Sequence, residues 1–128
     1  MAGPVFPWRA GNQFELLIDG PQFFPRMLQT IMGAEHQVDL ELYLVEAGAC
    51  AEAVVEALEQ AARRGVRVRC LFDDYGSLAF TLSLRRRLIE AGVELRFYNR
   101  LSWRRWVRNF YRDHRKLLLV DQTLAVVG

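Results

Sequence analysis

Lysine is nearly absent from this chain. Of seventeen basic side chains sixteen are arginine, and Lys116 is the one lysine. Histidine is scarce too, present only as His36 and His114. The two cysteines, Cys50 and Cys70, lack the spacing of a metal site, so a zinc cluster or a disulfide framework is excluded as the organising device. A reduced, cytosolic setting follows, with both thiols as small apolar fillers. No uninterrupted apolar run approaches the ~20 residues that cross a bilayer. The N-terminus, Met1-Ala2-Gly3-Pro4-Val5-Phe6-Pro7, lacks the basic start and apolar stretch of a secretory signal. There is no internal repeat and no low-complexity segment.

What is present suits one folded unit. The chain has 128 residues, 52% apolar and 25% charged, enough for a single core. The net charge of +2 conceals an asymmetry. Residues 1–62 hold nine acids against Arg9 and Arg26, whereas residues 63–128 hold fifteen bases against six acids. A positive second half draws in phosphate-bearing substrates or anionic surfaces.

Hydrophobic periodicity predicts alternating strands and helices. Phe14–Ile18 reads as a strand. Pro21 suits a first helical turn, and Phe24, Met27, Leu28, Ile31 and Met32 form an apolar helical face ending at Gly33. Val38–Val45 alternates apolar Val38, Leu40, Leu42 and Leu44 with Asp39, Glu41 and Tyr43, a strand pattern. Ala51–Arg64 is an alanine-rich helix capped by Gly65, with Glu52, Glu56 and Glu59 off its apolar face. Val66–Phe72 is a strand, Leu82–Ala91 a helix closed by Gly92, and Val93–Tyr98 a strand. Leu117–Val120 and Leu124–Val127 form a hairpin around Asp121-Gln122-Thr123. The expected fold is α/β, a mostly parallel or mixed sheet flanked by helices and ending in a hairpin.

The chemistry concentrates near the C-terminus, in His114-Arg115-Lys116-Leu117-Leu118-Leu119-Val120-Asp121 and, six residues on, Gly128. Residues two apart on a strand face one way, so His114 and Lys116 should address one ligand near the sheet's carboxyl edge. A neutral imidazole is a good nucleophile toward phosphorus, and an ammonium beside it holds a phosphoryl oxygen. Asp121, at odd spacing from His114 and next to a turn, is assigned to hydrogen bonding that organises the site rather than to proton transfer. Gly128 would let backbone pass close to substrate. Glu41, Tyr43 and Asp73, on or at the end of strands, are further substrate-binding candidates, and His36 reads as a structural or surface residue.

The spacing His-x-Lys, four residues, Asp, six residues, Gly resembles the motif of the phospholipase D superfamily, and of its cardiolipin synthase branch in particular. Phe14-Glu15-Leu16-Leu17-Ile18-Asp19-Gly20, Leu40-Glu41-Leu42-Tyr43-Leu44, Ala61-Ala62-Arg63-Arg64-Gly65-Val66-Arg67-Val68, and Asp73 followed by Gly76-Ser77 are similar to the same branch. The resemblance implies a phosphatidyltransferase moving a phosphatidyl group between phospholipids through a phosphohistidine, with no cofactor and no metal. His114 would be nucleophile or general acid, and Lys116 would bind phosphate. Enzymes of this branch carry two such motifs and continue past the glycine to an asparagine. Residues 1–128 are therefore expected to be one phospholipase D-like half, completed by a C-terminal half or a second subunit. The implied partners are an anionic, phosphatidylglycerol-like lipid and the cytoplasmic face of the cell membrane, bound peripherally.

A second feature points the same way. In Arg100–Arg112, Trp103, Trp106, Val107 and Phe110 recur at helical spacing, and Arg104, Arg108 and Arg112 recur on another face. Trp103, Arg104, Trp106 and Arg108 are the residues expected at a lipid headgroup layer. The same residues could instead be core aromatics beside a solvated face. They could also form a nucleic-acid groove, which would make the chain a one-motif phosphodiesterase acting as a dimer. A third reading is an inactive fragment. The local resemblances favour lipid over nucleic acid.

Overall fold

The computed structural model describes residues 3, 6–43, 45–100, 104 and 114–128. Eight elements alternate along it: α1 (Asp19–Met32), β1 (Gln37–Leu42), α2 (Ala49–Arg63), β2 (Arg67–Asp73), α3 (Leu82–Glu90), β3 (Glu94–Tyr98), β4 (Lys116–Val120) and β5 (Leu124–Val127). The sheet order is β3-β2-β1-β4-β5. β1, β2 and β3 run parallel, while β4 is antiparallel to β1 and β5 to β4. The expected mixed α/β sheet with a terminal hairpin is what forms.

The three helices make one layer: α2 packs on α1, α3 and β2, α3 on β3, and α1 on β4. Strand alternation decides which side chains meet them. Val38 and Leu40 of β1, Val68, Cys70 and Phe72 of β2, and Leu118 and Val120 of β4 are buried against this layer. Phe72 is central, edge-on to Phe80 and Phe97 at 5.5 and 6.3 Å between ring centroids. Each such pair adds about 0.5–1.5 kcal/mol beyond burial of area. No helix among the described residues is long and apolar enough to cross a membrane.

Turn chemistry sets the boundaries. Gly65 and Gly92 adopt φ of 92° and 93° just past α2 and α3, the left-handed step that ends a helix. Asp121 and Gln122 take positive φ as well, which suits the tight turn between β4 and β5.

Two expectations need correction. Phe14–Ile18 is no strand. The Ile18 N–H donates to Gln22 Oε1 at 2.8 Å, and Glu15 pairs with Arg26 at 2.6 Å, so this segment is tied to α1 and not to a ladder. Phe14, Leu16 and Ile18 remain 95%, 84% and 61% exposed. Glu59, off the apolar face of α2, is nonetheless buried, because Arg87 of α3 reaches across to it at 2.7 Å and to Glu52 at 2.6 Å. Cys70 is a buried filler whose thiol burial pushes up to about 12, whereas Cys50 lies exposed on α2.

Candidate active site

Lys116 opens β4 opposite Leu42, the last residue of β1. Because β4 is antiparallel to β1, its start lies at the carboxyl ends of the three parallel strands, the edge where open α/β sheets receive ligands. Leu42, Leu40 and Val38 pair with Lys116, Leu118 and Val120. Lys116 therefore leaves the sheet on the helix side. Its ammonium has no ion-pair partner among the described residues. The Gly128 N–H donates to the Lys116 carbonyl at 3.1 Å, which sets Gly128 beside it. A methyl group at Gly128 would meet Phe23 and the Lys116 stem at 3.8–3.9 Å, ordinary contact.

His114 precedes β4 by two residues and lies outside its ladder. It is exposed, and its ring packs at 4.2 Å from that of Tyr43, just past the end of β1. The expectation of both side chains on one strand is thus met only by Lys116. Tyr43 is itself held from behind. Val45 N–H donates to the Gly76 carbonyl at 3.1 Å, and Gly76 N–H donates to Asp73 Oδ1 at 3.0 Å. Gly76 lies so close to the Tyr43 carbonyl that a side chain would overlap its oxygen. The loop after β2 is therefore clamped to the loop after β1, and Tyr43 carries that order to His114.

Asp73 is 0% exposed, and its carboxylate shapes this loop by accepting the Gly76 N–H. Glu41 is mostly buried and 3.5 Å from Arg115, on the sheet face opposite Lys116. Of the candidates, the fold brings together His114 with Tyr43 and Lys116 with Gly128. Gly76 was overlooked as a functional position, since nothing in a lone glycine distinguishes close approach from a turn. Arg104 is exposed. Trp103, Trp106 and Arg108 fall outside the described residues.

Asp121 is at the wrong end of the strand to serve the site. It follows β4, roughly 17 Å from Lys116 at strand rise. Its carboxylate accepts the N–H groups of Glu35, His36 and Gln37 at 2.8–2.9 Å, fastening the start of β1 to the end of β4. The Gln37 N–H most, then those of Glu35 and His36, hold its carboxyl below the ordinary carboxylate range. A depressed folded-state pKa stabilises above the unfolded value of about 4, and that stability is lost as pH falls through the folded value. Asp121→Asn should melt lower than wild type at pH 7, and the gap should narrow below about pH 4. Melting curves from pH 2 to 7 check this; a gap that persists undiminished at pH 2 would show that the carboxylate charge is not the cause.

Residues 27–128 match the family model described as cardiolipin synthase, PLD-like domain. The chain belongs to that family. It is 35% identical over 123 residues to cardiolipin synthase B of Salmonella typhi and 34% identical over 124 residues to that of Escherichia coli. Each alignment covers 94% of this chain and 30% of the relative. Cardiolipin synthase A of Escherichia fergusonii is 32% identical, with 92% of this chain and 25% of the relative covered. The chain thus spans less than a third of these relatives' length. Among solved structures, Nuc of Salmonella typhimurium, a phospholipase D family member, superposes with a TM-score of 0.61 at 22% identity, covering 81% of this chain and 60% of that one. NucT of Helicobacter pylori gives 0.60 at 13% identity, covering 84% and 65%. At such identities these neighbours support the fold alone.

Proposed function

We propose that this chain is one half of a bipartite phosphatidyltransferase site, in a cardiolipin synthase-like enzyme whose second His-x-Lys motif comes from another part of the polypeptide or a second subunit. The observation that supports it best is the placement of Lys116, at the carboxyl edge of the sheet with its ammonium unpaired among the described residues, two residues from an exposed imidazole braced by Tyr43. One histidine attacks the donor's phosphorus, forming an N–P bond as the P–O bond to the leaving glycerol breaks. The other histidine gives that oxygen its proton. It then takes the proton of the acceptor lipid's hydroxyl, whose oxygen attacks phosphorus and releases the first histidine. His114 fills one of these roles, and Lys116 stabilises the charge on the phosphoryl oxygens. With one histidine at the site, the chain alone should turn over negligible phospholipid.

The arginine-tryptophan segment supports action at an anionic lipid surface. Replacing Arg104, Arg105 and Arg108 together with glutamine in the full-length polypeptide should weaken flotation with phosphatidylglycerol vesicles by about a hundredfold at low salt. Each arginine near such a surface contributes roughly 1 kcal/mol, and salt screens it. Turnover of detergent-dispersed lipid should be largely retained. Unchanged flotation with loss of single-stranded DNA cleavage would instead establish a nuclease.

A further inference from the structure

An apolar cavity of about 770 Å³ opens beside Lys116, between α1, α2 and the carboxyl ends of the strands. This size is that of small-molecule pockets. Phe23 and Met27 of α1, Ala51 and Val54 of α2, and Leu42 of β1 wall it, and Lys116 and Gly128 lie on its lining. Asp19 and Glu46 are its carboxylates. The groove is open to solvent along the exposed residues 46–50. Lys116 is the basic residue on its lining. The Lys116 stem and the Phe23 ring both lie where a methyl group on Gly128 would touch them, at 3.8–3.9 Å. A cation and an apolar groove are therefore continuous.

We propose that this cavity is the acyl-chain subsite of the reaction, taking one fatty chain of a phosphate ester whose phosphate rests on Lys116. The complementarity is that of an amphiphile: an ammonium for the phosphate, then aliphatic and aromatic walls for the chain. A free phosphate uses only the first part. The proposal rests on the phosphatidyltransferase reading, and it assigns the groove a function which that reading leaves open.

Binding of inorganic phosphate and of butyl, hexyl and octyl phosphate, kept below micelle formation, is measured by calorimetry on the protein. Affinity should rise with chain length by up to about fourfold per added methylene. Cys50 and Ala47 are exposed residues lining the groove, so Cys50→Trp and Ala47→Trp should narrow it without disturbing the core. Both should flatten the chain-length dependence and leave inorganic phosphate unchanged. Lys116→Gln should weaken every ligand and keep the slope. Equal affinity for inorganic and octyl phosphate overturns the acyl subsite, and the lysine assignment still stands if Lys116→Gln weakens both. A slope untouched by either tryptophan also overturns it. A slope lost in the tryptophan variants, with no effect of Lys116→Gln, supports the groove and overturns the phosphate assignment.

Discussion

Replacing His114 by alanine in the full-length polypeptide should abolish transfer of phosphatidyl groups, with a loss of about four orders of magnitude or more. Covalent catalysis fails as a unit when either the nucleophile or its acid-base partner is removed. The fold should survive, because His114 is exposed and outside the β4 ladder, with Tyr43 as its ring contact. Melting temperature and circular dichroism of the variant should match wild type. The two roles open to His114 separate on a donor with an activated leaving group. A general acid is dispensable when the leaving oxygen needs no proton, so a p-nitrophenyl ester should rescue His114→Ala only if His114 is the acid. A nucleophile leaves no such rescue, and its phosphohistidine should map to the His114 peptide after alkaline quench. Activity retained by the variant on natural lipid would remove His114 from the mechanism.

Gly76→Ala should destabilise the protein by about 3 kcal/mol, the upper part of the range for forcing atoms into packed space. Its Cβ would overlap the Tyr43 carbonyl oxygen and lie 2.8 Å from the carbonyl carbon. Both are backbone atoms with no rotamer to yield. A loss of this size is a large share of a domain's total stability and should lower the melting temperature by roughly 10 °C. The loops after β1 and β2 would separate, breaking the Val45–Gly76 hydrogen bond and shifting Tyr43 beneath His114. Activity should therefore fall further than the unfolded fraction explains. Urea unfolding and turnover measured at a temperature where the variant is folded distinguish the two losses. A variant as stable as wild type would mean that the two loops can part without cost.

The sequence was legible wherever a local rule applied. Met27 and Ile31 lie buried on α1 at the helical spacing read for that face, and Gly33 ends the helix. Val38 and Leu40 point inward on β1 and Asp39 does not, as a period of two requires. The hairpin at Asp121-Gln122-Thr123 follows from its turn residues. The strand expected at Phe14–Ile18 failed for want of a partner, because alternation describes a face and not the ladder that would hold it. The burial of Glu59 could not be read from its helix, because its partner, Arg87, is on another one.

By itself the sequence determined the order of elements from α1 to β5, the family and the pair of residues proposed to carry the chemistry, because each is written in nearby spacing. The tertiary structure alone decided where those residues act. It moved Asp121 from the expected site to the far end of β4, since a carboxylate binds whichever N–H groups the fold brings within reach, here those of residues 35–37. It sealed Asp73 beneath a loop and made Gly76 the contact that seats Tyr43. The roles of Asp121 and Gly76 depend on approach between residues thirty or more positions apart, and no local pattern encodes a distance of that kind.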